Sequence, residues 1–157
     1  MTKEKKQAFT LRITSANSTE LVEIIYEMTL EYINDADEAL KANDTSALHS
    51  SIRKARGCLR ELMESIDFTN EISGNLMSLY AFANKELILA EIRRNPEMFE
   101  NVRKIFIPLR DTYIELAKQD DSEPIMSNAQ TVVAGMTYSK NDINESMTDQ
   151  NNRGFYV

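Results

Sequence analysis

The chain has 157 residues, a formal net charge of −7 and no tryptophan; four glycines, three prolines and eight methionines lean the composition toward helix. That length suits a single domain with a sizeable core, and acids interleaved among the bases nearly everywhere argue against a nucleic-acid footprint. The longest apolar runs, such as Leu87 to Ala90, fall far short of a membrane span, and no apolar stretch of signal-peptide length follows "MTKEKKQAF".

Residues 1–17 read as an N-terminal leader, with Lys3, Lys5 and Lys6, broken by Glu4, as a solvated stretch rather than a binding patch. At Asn17 the chain enters a helix. The Asn17 side chain can accept from a free amide of the first turn while Glu20, three residues on, reaches back, which is a capping box with Asn in place of Ser or Thr. Leu21, Ile25, Met28, Tyr32 and Ala36 then follow the helical repeat, and Val22, Tyr26, Leu30 and Ile33 widen the stripe. The spacing predicts a helix over Ser18–Leu40, buried on more than one side.

"KANDTSA" supplies a new cap at Asn43 or Asp44. The second stripe, Leu48, Ile52, Ala55, Leu59, Leu62 and Ile66, alternates steps of four and three, the seam of bundle packing. It predicts Thr45–Ile66. A third stripe, Ile72, Leu76, Leu79, Ala83, Leu87 and Ala90, predicts Glu71–Ile92. Asn95 as a cap and Pro96 at the first helical position open a fourth, Pro96–Lys118, along Phe99, Val102, Phe106, Leu109, Tyr113 and Leu116. Pro108 inside it should remove the bond to Lys104 and bend the axis. No segment alternates with period two. Four amphipathic helices joined by short polar connectors predict an all-α protein, an antiparallel four-helix bundle over residues 18–119.

From Asp120 the sequence turns polar, and residues 120–157 read as a C-terminal tail, partly ordered or disordered. Within it Val132, Val133, Met136 and Phe155-Tyr156-Val157 are either chance hydrophobes or a segment that lies back on the bundle.

Chemistry is hard to find in this sequence. His49 is the only histidine, and Ser46 stands where a Glu-x-x-His metal motif would need Glu, so a surface role in the first turn of its helix is expected. Cys58, the only cysteine, lies beside the regular seam and reads as a small apolar packer; alone it allows no intrachain disulfide and suits a reducing cytoplasm, where the sequons at Asn17 and Asn43 carry no glycan. Glycines 57, 74, 135 and 154 stand singly, which excludes a phosphate-cradling loop. Acid pairs such as "DDSE" and "DADE" fall on polar faces. No catalytic residue, metal site or cofactor is predicted, and the chain reads as a non-enzyme. What remains is binding surface. Met63, Met77, Tyr80, Phe82, Ile88, Leu89, Met98 and Ile105 fall off the seams, a pattern compatible with a thick core or with a groove for a partner helix.

Taken together, the residues resemble the FliS family of flagellin export chaperones. Ile13, Thr14-Ser15, Ala16, Asn17, Leu21 and Ile25-Tyr26 occupy the places of the family's opening pattern. Lys54-Ala55 through Glu61-Leu62, then Ile72 with Asn75-Leu76 and Leu79-Tyr80, and finally Leu109-Arg110-Asp111 with Tyr113, match its later elements. Ser18 departs from the family's proline, Ala8 stands where a Tyr is frequent with Phe9 next door, and the long tail lies outside the pattern. The resemblance implies a cytoplasmic, cofactor-free chaperone that binds the C-terminal helical segment of flagellin, holds it monomeric and hands it to the flagellar export gate, as a monomer or weak homodimer. Phe9 and Ile13 on the leader, with Met63, Met77, Tyr80 and Ile88 beside the seams, are the expected partner-binding residues. The rival reading is a structural or regulatory bundle, an adaptor or dimerisation module with those residues buried against itself.

Overall fold

The computed structural model describes residues 1–126; the expectations for Val132, Val133, Met136 and Phe155-Tyr156-Val157 fall outside them. Five helices succeed one another: α1 (Lys3–Ser15), α2 (Ser18–Lys41), α3 (Thr45–Glu64), α4 (Ser73–Arg93) and α5 (Glu97–Gln119). No strand occurs among the described residues, and the fold is the all-α bundle expected.

Local chemistry explains the starts. At α2 the Asn17 side chain accepts from the Glu20 amide and Glu20 accepts from the Asn17 amide, both at 2.9 Å, completing the capping box. Asp44 caps α3 by accepting from Ala47 at 2.9 Å, and Asn43 before it takes the left-handed φ of 54° that Asn tolerates. Asn95 accepts from Glu97 at 3.0 Å, but α5 begins at Glu97 with Pro96 at its N-cap and no side-chain cap, one residue later than expected. No side chain caps the first turn of α4, which starts at Ser73, two residues later than the apolar repeat suggests.

The leader is the main correction. Residues read as a solvated stretch form α1, with Thr2 accepting from Lys5 at its N-terminus. Two forces hold α1 on α2. Phe9 packs with Ala16 and Ile24 in a small satellite core. Opposite it, Glu23, Glu27, Glu31 and Asp35 recur every fourth residue of α2; Lys5 meets Glu31 at 2.7 Å, and Arg12 meets Glu23 at 3.0 Å and Glu27. Of the three bases that look merely solvated in sequence, Lys5 has a partner on another helix, while Lys3 and Lys6 are exposed.

In the bundle, α2 packs against α3 and α5, and α4 against the same two helices. Hydrogen bonds give the direction of two pairings. His49 meets Glu91 at 2.6 Å and Arg56 meets Asn84 at 2.8 Å, so a step up α3 is matched by an equal step down α4. Likewise Arg103 bonds Asn34 at 2.8 Å and Asn17 bonds the Asp120 carbonyl at 3.1 Å, which runs α5 against α2. Leu59, Leu62 and Phe106 are buried as the seams require, while Leu76 and Leu109 are half-buried against the core. The third seam is out of phase at one point: Tyr80, not Leu79, is buried. The Tyr80 ring lies 6.1 Å from Phe106 and its hydroxyl bonds that of Tyr26. On α2 the widening residues Tyr26, Leu30 and Ile33 form the deep core, and Leu21, Ile25, Met28 and Tyr32 are only half-buried.

Candidate surface grooves

Three concave surfaces surround the C-terminal half of α3. The first lies where α1, α2 and α3 meet. Its walls are the half-buried Ile13, Leu21, Ile25, Met28 and Tyr32, its α3 side is Lys54, Gly57, Cys58, Arg60 and Glu61, and it encloses about 390 Å³. Apolar side chains outnumber charged ones here, and Met28 is a deformable surface for varied partners. The second, about 620 Å³, runs between α3 and α4 and is lined by Arg53, Arg56, Gly57, Leu59, Arg60, Met63 and Asn84. No carboxylate lines it. The third, about 310 Å³, opens at the end of the bundle where Leu76 and Tyr80 of α4 face Val22, Leu62, Ile66, Tyr113 and Leu116. Ile72 stands 59% exposed on its rim.

The expected partner-binding residues are dispersed over these surfaces. Ile13 lines the apolar groove, and Phe9 is buried on α1 against Ala16 and Ile24. Met63 lines the arginine-bearing groove. Met77 and Ile88 are half-buried on α4, and the α3–α4 register carries Met77 toward Met63. Tyr80 is corrected as a free groove residue: at 2% exposure it is core, touching only the floor of the end cleft. Leu21, Ile25, Met28 and Tyr32 follow the helical repeat in sequence, but a stripe shows periodicity, not depth. Sequence reasoning passed over Arg53, Arg56 and Arg60 altogether, and took Gly57 only as a lone glycine that forms no phosphate loop.

Burial pushes the Cys58 thiol up to about 11, so near neutral pH it is a neutral thiol whose reactivity is suppressed. Burial also raises Tyr26 and Tyr80 above the ordinary phenol value. His49 is exposed beside Glu91. Among the described residues no three of His, Cys, Asp and Glu cluster as metal ligands, and no helix is long and apolar enough to cross a membrane.

The family described as flagellar protein FliS matches residues 1–120. The chain is also similar to the flagellar secretion chaperone FliS of Bacillus subtilis (strain 168), with 23% identity over 101 residues, 64% of this chain and 76% of that protein.

Proposed function

The chain belongs to the FliS family, and on that premise we propose that it is a cytoplasmic export chaperone for flagellin. It binds the C-terminal helical segment of flagellin, keeps the subunit from polymerising early and presents it to the flagellar export gate. The observation that supports this reading is the apolar groove at the α1–α2–α3 junction, walled by Ile13, Leu21, Ile25, Met28 and Tyr32. An amphipathic helix lays apolar residues into such a groove at i, i+3, i+4 and i+7, and needs no nucleotide or metal to do so. Binding is the whole of the work: a segment that aggregates when free is ordered and covered when held.

Titration calorimetry with a flagellin C-terminal peptide tests the reading. The expected dissociation constant is about 1 μM or tighter, with a gain of peptide helicity in circular dichroism. Absence of binding, or equal retention of flagellin lacking its C-terminal segment, would overturn it and leave the adaptor or dimerisation module as the better account.

A further inference from the structure

Gly57 has no reason within the chain's own fold to be glycine. A glycine inside a helix weakens it relative to alanine, because its backbone has more freedom to lose on folding. Folds keep one there when φ is positive or when a Cβ would collide. Neither holds: no described glycine has positive φ, and a Cβ at Gly57 meets no atom within 4 Å. Gly74 shares that open space but sits exposed in the first turn of α4 and lines none of the three surfaces. Gly57 sits in the middle of α3, on the rim of both the apolar groove and the arginine-lined one.

The geometry places it in a saddle. Arg53, Gly57, Arg60 and Glu64 follow one another along the outer ridge of α3 at helical spacing, so the ridge dips between two long side chains. We propose that a partner helix crosses α3 at Gly57, its apolar face in the α1–α2–α3 groove and an acidic flank over Arg53 and Arg60. Without a Cβ the two backbones approach closely, which spreads the contact into both grooves. The charges choose the flank. Arg53 has no ion-pair partner among the described residues, and Arg60 reaches only Glu64, at 3.9 Å with both side chains more than 60% exposed. Elsewhere Arg12, Arg103 and Arg110 each lie within 3.2 Å of a carboxylate; Arg56 and Arg94 bond the uncharged side chains of Asn84 and Thr45, and Arg93 has no ion pair among the described residues but lines none of the three surfaces. A carboxylate from outside completes what the chain leaves open.

This inference rests on the proposed flagellin binding, and the test separates the two. Full-length Gly57→Ala, Gly57→Leu and the double variant Arg53→Glu/Arg60→Glu are measured for thermal unfolding and for affinity toward a flagellin C-terminal peptide. Both glycine variants should unfold at or above the wild-type temperature, since the added side chain meets open space. Binding should weaken several-fold for Gly57→Ala and at least tenfold for Gly57→Leu and the double arginine variant, and wild-type affinity should fall as salt is raised. A folded Gly57→Leu that binds like wild type overturns the crossing, and unchanged binding by the double variant overturns the acidic flank. A wild-type chain that does not bind the peptide removes the functional reading and this inference together.

Discussion

Asn17 joins two parts of the molecule through one side chain. Its Oδ1 caps α2, and its Nδ2 donates to the carbonyl of Asp120 at 3.1 Å, more than a hundred residues on. Asn17→Ala should cost about 1 kcal/mol for the cap alone, while Asn17→Asp keeps the cap and loses the donor; chemical denaturation of the pair separates the two contributions. If Asn17→Ala leaves stability unchanged, the cap is not what holds this end. The buried phenols set an alkaline limit. Tyr26 and Tyr80 share a hydroxyl contact, and burial raises both above the ordinary value of 10.0. A phenol with a raised folded pKa contributes stability in full below the unfolded value and loses it as pH climbs toward the folded one. Unfolding by denaturant should therefore become easier above about pH 10, with the part of the phenolate absorbance that Tyr26→Phe/Tyr80→Phe removes appearing together with loss of helix. That part rising well before helix is lost would show that these tyrosines are not sealed from solvent.

At the scale of the helices, what is local was legible and what is tertiary was not. Capping residues act within one turn, so the starts of α2 and α3 at Asn17 and Asp44 are readable from Asn-Ser-Thr-Glu and Asn-Asp-Thr alone. The α3 stripe is readable because both of its flanks are polar. Two features escaped for one physical reason, that their partners are far away in sequence. The α1 helix shows almost no apolar stripe, since Phe9 needs Ile24 and its bases need the acids of α2. The phase of α4 at Leu79 and Tyr80 is decided by Tyr26 and Phe106, which offer a ring and a hydroxyl that leucine cannot use. On α2 groove walls and core read alike, because periodicity finds a face without saying how deep it lies. The seam itself makes a firm prediction: Leu62, 1% exposed, should cost about 2–5 kcal/mol as Leu62→Ala. Ser18, the first residue of α2, should accept proline with stability unchanged or raised, since its amide has no helical acceptor and proline presets the required φ. A Ser18→Pro chain that melts well below wild type would contradict the cap geometry.

For the whole molecule the open question is what keeps α1 on the bundle, since Ile13 of α1 is also a wall of the apolar groove. Two candidates differ in size. The ion pairs of Lys5 and Arg12 are solvated, with side chains 54% and 42% exposed, and pairs of that kind contribute about 0–1 kcal/mol each and weaken with salt. Phe9 is 9% exposed against Ala16 and Ile24, and burying a ring of that size contributes about 1.5–3 kcal/mol. The ring should therefore dominate, with the charges setting the orientation of α1. Hydrogen exchange distinguishes them by reporting α1 amides separately from those of α2–α5. Phe9→Ala should bring α1 close to unprotected exchange while the other four helices keep their protection. Arg12→Ala, which also removes a guanidinium lying 5.7 Å from the Phe9 ring centre, should accelerate α1 exchange by no more than about tenfold, the equivalent of 1.4 kcal/mol. Arg12→Ala loosening α1 as much as Phe9→Ala would reverse the assignment and make α1 an electrostatically held element, released by salt rather than by loss of an apolar anchor.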